Sequence, residues 1–264
     1  MRSRLNISIR WLTILYSRKF VYTILLLLMI SSLFRFYSFL MYKEEKNVFD
    51  LLLFSLNDFF HVFFLLSLIY LIGIFPFTAF RSFDHYAMIK LGSRAKWFYT
   101  SVISMGIATL LFVLASAFIC ILESLLTLKF ENRWSEYGEA VYHFFLQYNN
   151  IKPLTLVLFS LLFLYLFLLT LGITFFVATL IVQNNIIGFI IALGFNGMSM
   201  VVYLSKIAFF YRFTFVYHVL LGKMDGSVYS HVIESIMYWG TILALLLCIG
   251  MVRGKQMDFH RRRS

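Results

Sequence analysis

The sequence predicts an all-α integral membrane protein with six transmembrane helices, and three observations predict it. Of its 264 residues, 61% are hydrophobic and 13% charged, which leaves no stretch suited to a soluble globular domain. Six apolar runs, roughly residues 20–40, 58–80, 99–122, 153–180, 186–205 and 232–252, each come near the roughly 20 residues that cross a bilayer as helix. The charges between the runs are also sorted. Segments 1–19, 81–98, 183–185 and 253–264 hold fourteen Lys and Arg against Asp84 and Asp258, an excess of twelve. The remaining segments hold eight Lys and Arg against ten Asp and Glu, and Arg35 lies inside the first run. Basic loops stay cytoplasmic. The expected topology is therefore N-in and C-in, one membrane domain over residues 1–264 in the cell membrane. The pI of about 9.7 reflects that topology and contact with membrane lipids rather than nucleic acid, because the basic residues hug the membrane ends instead of forming one patch.

Taken in order, residues 1–19 open on a polar stripe of Ser3, Asn6, Arg10, Thr13 and Ser17, backed by Leu5, Ile9, Leu12 and Tyr16. That spacing predicts an amphipathic helix lying in the interface, with Trp11 at headgroup depth. The apolar run after it is long and no small-x-small site follows, so a cleaved signal is not expected. The loop 81–98 is the sizeable internal cytoplasmic element. Ser82 is placed to cap a short helix through Phe83–Leu91, Gly92 to end it, and Ser93 to cap the third membrane helix. Gln183-Asn184-Asn185 predicts a tight helical hairpin. Outside, Glu123–Lys152 is aromatic and amphipathic and is expected to rest on the outer leaflet. Residues 206–229 are aromatic but interrupted by Lys206, Arg212 and His218. Such a stretch is apolar enough to enter the bilayer and too broken to cross it, so an external re-entrant segment is expected before the last helix.

Few residues carry chemistry. Cys120 and Cys248 fall inside apolar runs and read as buried small hydrophobes rather than a disulfide or metal pair. The chain contains no G-x-x-x-x-G-K-[ST] and no H-E-x-x-H, so it has neither a phosphate cradle nor that zinc site. His231 and Glu234 share a helix face at the mouth of the sixth run, where interfacial polar residues are the simpler reading. Arg35 is within reach of the outer end and can snorkel. Asp58, His61 and Glu123 stand near the outer ends of their runs. Asn196 is the clear deep amide, beside Gly194, Gly197 and Ser199, and suits either helix packing or a translocation path.

This layout resembles the ABC type-2 permease, the small six-helix membrane subunit of bacterial ABC exporters. The likeness covers the whole chain and rests on the connecting helix (Ser3–Ser17), the loop between helices two and three, the tight turn after helix four and the broken segment before helix six. Ile89-Lys90-Leu91-Gly92-Ser93-Arg94-Ala95-Lys96-Trp97-Phe98 is similar to the lGSRkkWf stretch of small Gram-positive permeases. The resemblance implies a half-transporter that binds no cofactor itself. It would pair with a second permease subunit and with a cytoplasmic ATPase that holds ATP and Mg. Arg81, Phe83, Asp84, Tyr86, Met88, Ile89, Lys90 and Arg94 would form the coupling helix that docks on the ATPase. Phe75, Pro76, Thr78, Asn196 and Met200 would be candidates for the path. Such a path favours an amphipathic or hydrophobic cargo: a peptide, a bacteriocin or antibiotic, or a lipid-like molecule. The alternatives are a membrane-embedded enzyme, which would need His231, Glu234, His143 or Glu139, and an ion-coupled carrier.

Overall fold

The computed structural model describes residues 18–79, 93–125, 127–143, 146, 151–205, 210–221 and 227–256. The expected interfacial helix within residues 1–17 lies outside the described residues. So do Arg81, Phe83, Asp84, Tyr86, Met88, Ile89 and Lys90, and the cluster Arg261–Arg263. The helices are α1 (Arg18–Leu40), α2 (Val48–Leu56), α3 (Ser67–Ile74, preceded by a π-helical turn His61–Leu66), α4 (Pro76–Ala79), α5 (Arg94–Ser124), α6 (Glu136–Val141), α7 (Pro153–Val182), α8 (Asn185–Ser205), α9 (Phe215–Val219) and α10 (Val228–Gln256). Six of these segments are long and apolar enough to cross a membrane: Arg18–Leu40, His61–Thr78, Arg94–Ser124, Pro153–Val182, Asn185–Ser205 and Val228–Gly254.

Helix α7 is the axis of the bundle. Every residue from Thr170 to Leu180 is buried, and α2, α5, α8 and α10 all pack on it. An apolar helix with no polar face belongs in such a position. Gly172 lets three helices meet, since a methyl there would run into Tyr70 of α3 and stand 3.1 Å from Met105 of α5. At the same level Thr109 gives its proton to the Met105 carbonyl, so the Tyr70 hydroxyl donates to Thr109 Oγ1 at 2.7 Å. By contrast, α1, α8 and α10 expose most of their apolar surface, as helices facing lipid do.

The two ends of the bundle differ. At one, the turn end, Phe20, Phe75, Pro76, Ile186 and Phe189 surround an apolar cavity of about 280 Å³, and Phe98 packs on Phe176 and Gly250. Here α7 turns directly into α8. Gln183 takes the left-handed conformation with φ 57°, and the Asn184 side chain accepts from Ile186 N at 2.9 Å to cap the next helix. The hairpin predicted at Gln183-Asn184-Asn185 is therefore present. The opposite, looped end carries the connections 41–58, 124–153 and 205–228.

The aromatic connection after α5 behaves differently from its expectation as a surface-resting loop. It folds inward as a cap. Tyr137 and Tyr142 are buried, Tyr137 meets Phe39 edge-on at 5.0 Å, and Trp134 Nε1 donates to the Ile151 carbonyl at 2.8 Å. Those aromatics find more apolar partners on α1 and α2 than a membrane surface would offer. A second difference is Cys248, which is exposed on a lipid-type face of α10, whereas Cys120 is buried.

Candidate functional site

Four places gather the side chains that could act. The first is the foot of α5. Ser93 Oγ accepts from Lys96 N at 3.1 Å and caps the helix, as the sequence predicts. Trp97 and Phe98 are buried against Phe176 of α7. Phe98 also fills the space above Gly250 of α10, where a methyl would stand 2.6 Å from its ring. Arg94 is exposed in the first turn. The chain emerging from loop 81–92 is thus clamped at once to three long helices.

The second place holds the path candidates, and the structure does not bring them all together. Phe75 and Pro76 border the turn-end cavity, and Thr78 is buried with its hydroxyl on the Phe75 carbonyl at 2.9 Å. Asn196 lies further along, 3% exposed. Its Nδ2 donates to the Phe63 carbonyl and, at 3.1 Å, to Ser67 Oγ. The π-helical turn His61–Leu66 explains that contact, because its wider hydrogen-bond register leaves a carbonyl for an outside donor. Asn196 therefore ties α8 to the second span. Met200 is half-buried against the core on the same helix.

The third place is a polar seam in the looped-end half, absent from the expected sites. The second span is preceded by α2, a helix buried along almost its whole length. Between them the backbone breaks at Asn57-Asp58. Arg35 of α1 bridges the break: it pairs with Asp58 at 3.1 Å and lies 4.1 Å over the Phe54 ring. It is held by an anion and a ring rather than snorkelling. Ser32 donates to Glu123 at 2.6 Å, and Ser31 contacts His61 Nδ1 at 3.4 Å. At the looped-end start of α2, Asn47 and Asp50 form a reciprocal capping box. Asp50 is fully buried and also receives the Ser135 hydroxyl. Burial pushes its carboxyl above the ordinary value of 3.8, against the lowering effect of the Ser135 and Asn47 hydrogen bonds. On the surface nearby, Lys129 bonds Glu45 at 2.8 Å and holds that carboxyl below its usual range.

The fourth place is an aromatic crevice of about 610 Å³ between α8, α10 and the broken segment that joins them. Phe195, Met198 and Val202 form one wall, Met237, Tyr238 and Ile242 the other, and Phe210, Phe213 and Phe215 the roof. The 3₁₀ turn Tyr211–Phe213 and α9 are pinned from three sides. Ser199 Oγ accepts from Phe215 N at 2.8 Å, Tyr238 Oη donates to the Phe213 carbonyl at 2.8 Å, and His218 Nε2 donates to the Arg212 carbonyl at 2.8 Å. His218 Nδ1 is then the acceptor for Ser235 Oγ at 2.9 Å. The imidazole, 1% exposed and stacked 3.8 Å from the Tyr238 ring, has both nitrogens used in its neutral form. Burial pulls its pKa down to about 4, with His231 nearby adding to the shift and the Arg212 carbonyl opposing it. His231 packs on Tyr217 and His218, and the structure pairs it with those rings instead of with Glu234. Among the described residues no cluster of His, Cys, Asp and Glu could hold a metal ion.

An uncharacterized protein of Halalkalibacterium halodurans is 26% identical over 229 residues, covering 84% of this chain and 83% of that protein. The likeness carries no activity with it. No protein-family model matches the chain, and no solved structure matches it.

Proposed function

We propose that the chain is the permease subunit of an ATP-driven exporter of the ABC-2 kind. It moves an amphipathic or hydrophobic cargo (a peptide, a bacteriocin or antibiotic, or a lipid-like molecule) across the cytoplasmic membrane. ATP and Mg are held in a separate cytoplasmic ATPase, and a second permease subunit completes the transporter. Both termini and the turn end face the cytoplasm in this reading.

The observation that carries it is the clamp at the foot of α5. A loop that receives force from a partner needs a stiff connection to the spans. The Ser93 cap with Trp97 and Phe98 joins the end of loop 81–92 to α5, α7 and α10 within six residues. ATP-driven closure of the partner would displace the loop, and the packed aromatics would pass that displacement to the spans, because close-packed interiors transmit strain rather than absorb it. In this reading Arg81, Asp84, Lys90 and Arg94 set the register on the ATPase, and Phe83, Tyr86, Met88 and Ile89 make the apolar contact.

The test is purification from native membranes. The wild-type chain should copurify with a P-loop ATPase and hydrolyse no ATP alone, while Phe83→Asp or charge reversal at Arg81 and Lys90 should release the partner. Intact complex and intact transport in those variants would sink the coupling assignment. The seam of Arg35, Asp58, His61 and Glu123 favours a second reading, an ion-coupled carrier. That reading gains if transport persists without ATP and follows an imposed proton gradient.

A further inference from the structure

We infer that the crevice between α8 and α10 is a binding site for an anionic phospholipid of the surrounding bilayer, its acyl chain between the two helices and its phosphate on Arg212. The lining is apolar even where its residues are not. Thr241 gives its proton to the Met237 carbonyl, Thr214 to that of Tyr211 and Tyr238 to that of Phe213, and Ser199 already receives the Phe215 amide. Three of the four lining hydroxyl protons are thus given away and the Ser199 oxygen is occupied. Little is left to reward a polar guest, and desolvating a headgroup inside would cost more free energy than it returns. A hydrocarbon chain has no such cost.

The shape fits a chain lying along the two helices beneath the roof and entering from the lipid side. α8 and α10 each pack on α7 and α9 rather than on each other, so the gap between them opens toward lipid. From Val202 at the rim to Phe195 the wall descends about 10 Å at 1.5 Å per residue. The volume of about 610 Å³ falls in the range of roughly 300–1,000 Å³ typical of small-molecule sites.

Charge marks the rim. Arg212 is exposed and sits between two roof residues, Phe210 and Phe213. Among the described residues no carboxylate forms an ion pair with it. The backbone of its turn is fixed by His218 and Tyr238 through the carbonyls of Arg212 and Phe213, so the exposed side chain of Arg212 starts from a fixed point beside the roof. A guanidinium in that place recognises a phosphate, and one such contact at a membrane surface is worth about 1 kcal/mol, or about fivefold in affinity.

The inference does not depend on the transport reading, because binding is measured without an ATPase or nucleotide. The experiment titrates the purified full-length chain in non-ionic detergent with dioleoyl phosphatidylglycerol or dioleoyl phosphatidylcholine, and native mass spectrometry counts bound lipid. Phosphatidylglycerol should bind about fivefold more tightly. Arg212→Gln should bring the two lipids to parity, and Arg212→Lys should keep the preference. Met198→Trp, or Val202→Trp if the first variant unfolds, should fill the crevice and weaken both lipids. Equal binding of the two lipids by the wild type, an unchanged preference in Arg212→Gln, or full binding by a folded crevice-filled variant would each overturn the inference.

Discussion

The looped end of the bundle breaks its backbone twice, and the two breaks are sealed in opposite ways. At Asn57-Asp58 the ends of α2 and the second span are closed by charge. Arg35 donates toward the Phe54 carbonyl and pairs with Asp58, Asp58 caps His61 N at 2.6 Å, and Tyr137 and Tyr142 close over the top. Between α8 and α10 the break is closed by neutral groups, His218 and Tyr238 donating and Ser199 accepting, and a cavity remains beneath it. Broken backbone at membrane depth must find internal partners. The comparison shows that the choice of partner decides what else the break can do. Charges need close, well-directed partners to offset their desolvation, and the space beside the first break is only about 20 Å³. Neutral groups carry a smaller penalty, and the space beside the second break is about 610 Å³.

The largest predicted effect falls on the first break. Asp58→Ala strands Arg35 in a mostly buried position and should destabilise the protein by about 3 kcal/mol, the lower end for an uncompensated buried charge, read as a shift in unfolding by denaturant. The double variant Arg35→Met/Asp58→Ala should recover most of the loss. If the single change costs nothing, the seam is not what closes that break.

Next comes Gly138 in the cap, where a methyl would stand 2.5 Å from Asp50 Oδ1 and 2.9 Å from the Trp134 ring. Gly138→Ala should cost about 2 kcal/mol through overpacking. Gly194→Ala, where a methyl meets nothing, should be tolerated by the same assay.

Acid should separate the capped start of α2 from the second break by sign. His218 in the fold lies near 4 rather than 6.5, so the folded chain binds fewer protons than the unfolded chain in that window. Stability from this group is lost as pH falls from 6.5 toward 4, on the order of 1–2 kcal/mol between pH 7 and pH 5. Asp50 is raised above 3.8, so its contribution is present in acid and lost as pH rises beyond that value. Unfolding measured across pH should lose the first slope in His218→Gln and the second in Asp50→Asn. A His218→Gln profile identical to wild type would remove the histidine from the second break.

The smallest effect is Tyr238→Phe, which frees the Phe213 carbonyl and should cost about 1 kcal/mol. It should also loosen the roof, so amide exchange is expected to rise through residues 210–215 while α2 stays unchanged.

Residue order alone was enough for the six spans, the Ser93 cap, the hairpin at Gln183 and a broken segment before the last helix. Each rests on local chemistry: run length against bilayer thickness, a hydroxyl placed before a helix, polar residues between apolar runs. The seam was half legible. Asp58, His61 and Glu123 stood out as ionisable groups near span ends, yet nothing local says that Arg35, on another helix, reaches Asp58. Helix α2 was hidden because Val48–Leu56 is too short to cross a bilayer and reads as part of a loop, although its apolar content suits the buried place it takes against α7. The inward fold of Tyr137 and Tyr142, the tie from Asn196 to Phe63 and the crevice roofed by Phe213 were decided only by tertiary structure. The physical reason is common to all three. Apolar surface and amides say that a partner is required, and only the packing of distant segments says which partner is nearest.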